Sequence, residues 1–95
     1  MMANTLSPEM RRHIESLQFH CAMVGNESHQ EPLTLAFVEK AIQECKDNGY
    51  TAIGYDLQID GITEPMMIAI YKDGHIDSGS KKNVIECMGR RWGID

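Results

Sequence analysis

The 95-residue sequence lacks a long hydrophobic run, a closely spaced set of cysteines and a surplus of basic residues. No apolar stretch approaches the roughly 20 residues that a membrane-spanning helix needs, so no membrane association is expected. The first residues, MMANTLSPEMRR, have no apolar segment after a basic one, which predicts no secretory signal. The three cysteines are odd in number and far apart, which argues against a disulfide framework and favours a reducing compartment. The expected location is therefore cytoplasmic.

Basic residues are outnumbered, with nine Lys and Arg against fourteen Asp and Glu and a formal net charge of −5. Nucleic-acid affinity comes mainly from cations that displace counterions from phosphates, so this balance disfavours nucleic-acid binding unless a local basic patch overcomes it. The hydrophobic content of 42% and the charged content of 24% are typical of a globular chain. Residues 1–95 are expected to form a single domain with one small core.

The first half of the chain predicts two helices. Ser7 is a hydroxyl N-cap followed by Pro8 at the first helical position. A helix over about residues 7–24, ended by Gly25 and Asn26, is predicted by an apolar stripe at alternating steps of four and three: Met10, Ile14, Leu17, Cys21 and Val24. The polar segment 27–32 has no periodicity and is expected to be a loop. A second helix is predicted from Thr34 to Asn48, with one apolar face made of Val38, Ala41, Ile42 and Cys45.

The second half predicts an α-β-β-β-α unit over about residues 32–93. A half-buried strand is indicated by a period of two in Ile53, Tyr55, Leu57 and Ile59. A second strand over Pro65–Tyr71 leads through an Asp73-Gly74 turn to a short third strand at 75–77. Ser80 is expected to cap a last helix with one side formed by Val84, Ile85, Met88 and Trp92. The fold class is therefore α+β, an antiparallel three-stranded meander with helices on one face, in the order α-α-β-β-β-α. Its open sheet edges leave a homodimer as an alternative to a monomer.

The sequence contains no motif that predicts an enzyme, a cofactor or a metal site. His13 and His20 lie seven residues apart with no Cys or carboxylate at ligand spacing, so structural or solvent-exposed roles are favoured. Asp56 and Asp60 share the polar face of one predicted strand, where a solvated surface is the favoured interpretation. An active site assembled from scattered residues is the alternative that these patterns leave open.

Two features are less ordinary. Phe19 and Met23 are four residues apart and would lie opposite the apolar stripe of the first helix, with Arg12 nearby, as in a protein interface or a contact with a second copy. Ser80, Lys81 and Lys82 would open the last helix, where unpaired N–H groups and two cations can hold a phosphate. For this segment a solvent-exposed capped helix is the favoured alternative.

From Pro32 to about Trp92, the order of one helix, three antiparallel strands and one helix resembles the double-stranded RNA-binding domain. The resemblance rests on the 61–65 loop, the Lys72-Asp73-Gly74 hairpin, and Ser80, Lys81 and Lys82 at the start of the last helix. It implies recognition of duplex RNA by shape, with Lys81 and Lys82 on phosphates and the 61–65 loop in a minor groove. Ile85 stands where the family has a third cation. Domains of this shape that lack cations often serve as protein-interaction modules.

The favoured function is a non-catalytic protein-binding module, such as an adaptor, an inhibitor or a regulatory subunit. Small acidic proteins of this kind include inhibitors of host factors encoded by viruses and mobile elements, although no residue indicates that origin. An acidic surface could also imitate nucleic acid toward a basic partner. The residues expected at the interface are Arg12, Phe19, Met23, Asp56, Asp60 and Glu64. The alternative function is binding of double-stranded RNA or another nucleic acid through Ser80, Lys81 and Lys82.

Overall fold

The computed structural model of the chain describes residues 7–26 and 28–92. Within them, three helices and five strands form an α+β fold, which confirms the predicted class. In chain order these elements are α1 (Pro8–Phe19), β1 (Met23–Asn26), β2 (His29–Pro32), α2 (Leu35–Asn48), β3 (Ala52–Gln58), β4 (Met66–Tyr71), β5 (Ile76–Ser80) and α3 (Lys81–Trp92).

The strands form one antiparallel sheet in the order β2-β1-β3-β4-β5. The meander β3-β4-β5 matches the three predicted strands, with Tyr55 opposite Ile68 and Ile68 opposite Ser78. The predicted strand count and element order are wrong, because β1 and β2 extend the sheet beyond β3. The order is α-β-β-α-β-β-β-α in the described residues.

The first helix is shorter than predicted. The Ser7 side chain accepts a hydrogen bond from the Met10 N–H at 3.2 Å, as expected of the N-cap. The helix ends at Phe19, and Cys21 has a positive φ of 52°, which is uncommon for a residue other than glycine. The chain then turns into β1, where Val24 lies opposite Leu57 of β3. Val24 is therefore buried in the sheet, whereas Cys21 is exposed, so the predicted helical stripe is wrong after Leu17.

The segment predicted to be a loop instead forms β2, with Glu27 outside the described residues. β1 and β2 form a hairpin in which Asn26 lies opposite His29 and Gly25 lies opposite Gln30. Gly25 has a φ of +116°, and a Cβ there would collide with the His29 carbonyl oxygen. This hairpin therefore requires glycine at position 25.

The second helix agrees closely with its prediction. The Thr34 side chain accepts a hydrogen bond from the Phe37 N–H at 3.1 Å, and Gly49 ends the helix in the left-handed conformation with φ of 72°. Its buried face is the predicted one, formed by Val38, Ala41, Ile42 and Cys45.

Helices cover both faces of the sheet, so the prediction that they lie on one face is wrong. Alternate residues of β4 enter two separate clusters, with Ile68 and Ile70 on one side and Ala69 and Tyr71 on the other. The first and larger cluster includes Ile14 of α1 and Val38 and Ile42 of α2. The second includes Val84 and Met88 of α3. A strand buried on both faces has a continuous apolar run rather than an alternating one, as MMIAIY does in β4.

The last helix packs on β4 and β5. The Ser80 hydroxyl accepts a hydrogen bond from the Asn83 N–H at 3.4 Å, in agreement with its predicted capping role. Val84 is buried and Met88 is half-buried, as expected. Ile85 is 51% exposed, so its predicted place on the apolar side is wrong, and the Trp92 side chain lies outside what the structure describes.

Candidate functional site

A groove of about 510 Å³ lies beside the start of α3, where β1 and the end of β3 meet the β3–β4 connection. Residues of β1 and β3, the 60–65 loop and the first residue of α3 line it. The charged and large apolar side chains of interest in this groove are Met23, Asp56, Asp60, Ile62, Glu64 and Lys81. Its volume is within the range of ordinary ligand sites in proteins.

The groove brings together all three carboxylates that the sequence singled out. Asp56 projects from β3, whereas Asp60 and Glu64 lie in the loop that follows, and each of the three is exposed. Asp60 is held there by its backbone, because its N–H donates to the His20 carbonyl oxygen at 3.2 Å. This hydrogen bond also brings the end of α1 next to the loop.

Of the residues described by the structure, one cation, Lys81, lines the same groove. Its Nζ lies 3.6 Å from Oδ1 of Asp56, and both side chains are about half exposed. An exposed pair of this kind stabilises a fold by at most about 1 kcal/mol, because water and salt screen it. Within the described residues, the carboxylates of Asp60 and Glu64 form no ion pair or side-chain hydrogen bond. Two carboxylates of the groove therefore have no cationic partner among the described residues.

Apolar side chains lie among these charges. Met23 of β1 is half-buried and lines the groove, and Ile62 at its loop is 42% exposed. Met23 and Cys21 also line a second hollow of about 310 Å³, between the end of α1, β1 and the start of α2. Apolar surface next to unpaired carboxylates suits a ligand that combines an apolar group with a positive charge.

The other predicted interface residues are placed differently. Phe19 and Met23 do not share a helical face, because Phe19 ends α1 and Met23 begins β1. Phe19 is 86% exposed and Arg12 is exposed on α1. The predicted helical pair is therefore wrong in its geometry.

The residues of the alternative nucleic-acid prediction meet at the start of α3. Ser80 is engaged in the cap, Lys81 faces Asp56, and Lys82 is exposed. Contact of this segment with a phosphate stays a prediction. His13 and His20, which were considered above as possible ligands, are both exposed. Nε2 of His13 lies 2.6 Å from the Ser78 hydroxyl oxygen.

A polar cluster that the sequence reasoning missed lies near the other end of α3. The Tyr71 hydroxyl donates to Oδ2 of Asp77 at 3.0 Å, and Nε2 of His75 lies 2.9 Å from Oδ1 of the same carboxylate. Arg91 donates to Asp73 at 2.9 Å and stacks over the Tyr71 ring at 4.4 Å. The Asp73-Gly74 turn was the usable signal, because a hairpin at this turn brings Tyr71 beside His75, whose carbonyl oxygen accepts from the Tyr71 N–H at 2.9 Å.

The surroundings of this cluster shift two pKa values. Burial of Tyr71, together with its hydrogen bond to the Asp77 carboxylate, raises the pKa of the phenol to about 12. The backbone N–H of His75 donates a hydrogen bond to the Asp73 carboxylate, which lowers the pKa of that carboxyl. The neighbouring Arg91 guanidinium lowers the same pKa further. These contacts hold the last turn of α3 to the β4–β5 hairpin, which is a structural role.

Neither a metal site nor a membrane span emerges from the described part of the chain. Residues 7–26 and 28–92 contain no group of three or more His, Cys, Asp or Glu side chains that could hold a metal ion. None of the helices in these ranges is both long and apolar enough to cross a membrane. Comparisons with family models, with curated proteins and with solved structures found no match to the chain.

Proposed function

We propose that this protein is a non-catalytic binding module that holds a segment of another protein in the groove beside α3. The segment has a basic side chain next to an apolar one. The observation that supports this proposal is the placement of Asp60 and Glu64, whose unpaired carboxylates lie in one groove with Met23 and Ile62. An adaptor, an inhibitor or a regulatory subunit would each use such a site.

Charge complementarity defines the partner. In the described part of the chain, the groove lining has three carboxylates and one ammonium group, so a Lys or Arg of the partner gains an attraction that an acidic segment lacks. The carboxylates are exposed, so each contributes about 0.2–1 kcal/mol to such a contact. The apolar lining must therefore supply much of the remaining affinity, through burial of side-chain surface.

The experiment begins with selection of random 12-residue peptides displayed on phage against the full chain. We expect selected peptides to be enriched in Lys or Arg beside Leu, Met or an aromatic residue. The affinity of one such peptide is then measured by fluorescence anisotropy for the wild type and for Asp60→Asn with Glu64→Gln. Loss of two exposed charge contacts should weaken binding about tenfold.

The matched control changes the same number of charges elsewhere. Glu15 on α1 and Glu86 on α3 are exposed and do not line the groove. Glu15→Gln with Glu86→Gln should retain wild-type affinity. Equal affinities of the two double variants, or selected peptides without basic residues, would contradict the proposal.

Lys81→Gln separates the proposal from its alternative by the sign of the effect. Because Lys81 neutralises Asp56 in the groove, its loss should tighten binding of a basic peptide by about twofold to fivefold. If the protein instead binds duplex RNA through Ser80, Lys81 and Lys82, the same variant should weaken RNA binding and lower its salt dependence. A gel shift with a 20-base-pair RNA at low salt measures the second outcome.

A further inference from the structure

Phe19 is the most exposed large apolar side chain in the described part of the chain, at 86%. It ends α1 and contributes to neither of the two hydrophobic clusters. An aromatic ring of this size leaves on the order of 150–200 Å² of apolar surface in water, which favours its burial against another surface.

The second hollow, of about 310 Å³, lies at the end of α1, close to Phe19 along the chain. Gln18 and Cys21, on either side of Phe19 in sequence, both line it. The rest of its wall is apolar or uncharged, with Ala22 and Met23 on one side and Leu33 on the other. An apolar cavity of about 150 Å³ is enough to hold a benzene ring, so this hollow has room for a phenyl side chain.

Among the residues that the structure describes, the lining of the hollow includes no Asp, Glu, Lys or Arg. The whole chain, by contrast, has fourteen acidic residues and a net charge of −5. Two copies of an acidic chain repel each other wherever their acidic surfaces meet. An uncharged surface is therefore where a second copy can approach with the least electrostatic opposition.

From these observations we propose that two copies of this chain associate about a two-fold axis, with the Phe19 ring of each inserted into the hollow of the other. The reciprocal arrangement is feasible because Phe19 lies in sequence between Gln18 and Cys21, which line the hollow, so an isologous contact can use both from one end of α1. The occupant of the hollow is thus a second copy of this chain. This proposal does not depend on the groove.

The test is the mass in solution, measured by sedimentation equilibrium over a range of protein concentrations. The wild type should show a reversible equilibrium between one and two chains. Phe19→Ala should raise the dissociation constant at least about a hundredfold, because a central aromatic anchor is lost from both copies. The variant should fold normally, as the residue that it truncates is exposed.

Ile85→Ala is the matched control, since Ile85 is another exposed apolar residue, on α3, with 51% of its surface in water. It should dimerise like the wild type. Gln18→Glu adds a negative charge at the hollow, so it should weaken the dimer at low salt and recover in 0.5 M salt, where like charges are screened. A wild-type chain that stays monomeric, or equal dissociation constants for Phe19→Ala and Ile85→Ala, would overturn the proposal.

Discussion

Ionisation of Tyr71 should contribute to a fall in the stability of this protein at high pH, and one substitution should remove that contribution. The phenol is 1% exposed and donates to Asp77, so a phenolate there would be buried beside a carboxylate. Its pKa is raised to about 12 from a value near 10 in an unfolded chain. The folded state therefore binds the phenolic proton more tightly than the unfolded state does.

The sign of the pH effect follows from this difference. Below about pH 10, Tyr71 keeps its proton in both states, and its contribution to stability is complete. As the pH rises from about 10 to about 12, the unfolded chain loses the proton first, and the free energy of unfolding falls. A difference of about two pKa units corresponds to about 2.7 kcal/mol in total, of which about 1.4 kcal/mol is lost by about pH 11.

Tyr71→Phe removes both the hydrogen bond and this titration. At pH 8 the variant should be less stable by about 1–1.5 kcal/mol, because Asp77 loses a donor. Above about pH 10 its stability should fall less steeply than that of the wild type. The two stability curves should therefore converge near pH 11, where the wild type has lost a similar amount.

Urea unfolding followed by circular dichroism at a series of pH values between 8 and 11.5 measures these curves. Burial raises the pKa of Tyr55 to about 12 as well, so Tyr71→Phe should retain part of the fall. Tyr50→Phe is the control, since it removes a half-exposed hydroxyl and leaves Tyr71 in place. Parallel curves for the wild type and Tyr71→Phe above pH 10 would refute the reasoning.

Two further predictions concern the backbone and the core. Gly25→Ala should lower the free energy of unfolding by about 2–4 kcal/mol, because the added Cβ collides with the His29 carbonyl oxygen. Gly49→Ala is the control, since its Cβ meets nothing within 4 Å, and it should lower the free energy of unfolding by about 1 kcal/mol. Similar losses in urea unfolding would contradict the steric argument. The last prediction concerns Cys45 in a variant that has serine at positions 21 and 87. Iodoacetamide should label Cys45 only as fast as the fold opens, because the thiol is buried and burial raises its pKa. Mass spectrometry measures the labelling rate, and a rate equal to that of a free thiol would refute this prediction.

The elements with a strong local pattern were predictable from sequence. α2 combines a capping Thr34, a clean apolar face and a terminal Gly49, and each signal points to the same boundaries. The alternation through Tyr55 and Leu57 likewise predicted β3 and its buried side. In these segments the local pattern and the tertiary contacts favour the same structure.

β1 and β2 were not predictable because their stability comes from distant residues. Cys21 and Val24 continue the helical spacing of α1, and no Pro or Gly interrupts the chain before Gly25. What ends the helix is the pairing of Val24 with Leu57, more than thirty residues away. β2 is a short, polar edge strand and so lacks an alternation of apolar residues.

The sequence of β4 contains a signal that a helix covers the second face of the sheet, which a prediction of helices on one face does not take into account. The run MMIAIY in β4 has apolar residues on both sides of the strand, which indicates a covering element on each face. Gly54 of β3 fits the same arrangement, because a Cβ there would collide with the Met67 side chain, which packs with Met88 of α3. The sequence proposed Asp56, Asp60 and Glu64 as interface residues, and the fold places all three in one groove, but the nearby Lys81 required the three-dimensional fold.

The two proposed surfaces meet, and this has a thermodynamic consequence. Cys21 and Met23 line both the groove beside α3 and the hollow that would receive Phe19 from a second copy. A ring inserted into the hollow would therefore contact Met23 of β1 and Cys21 just before this strand, the same side chains that a peptide in the groove would contact. Any coupling between the two events must be reciprocal, so dimerisation changes peptide affinity by the factor by which the peptide changes dimerisation. Self-association and partner binding would in this way be coupled through side chains at one short strand.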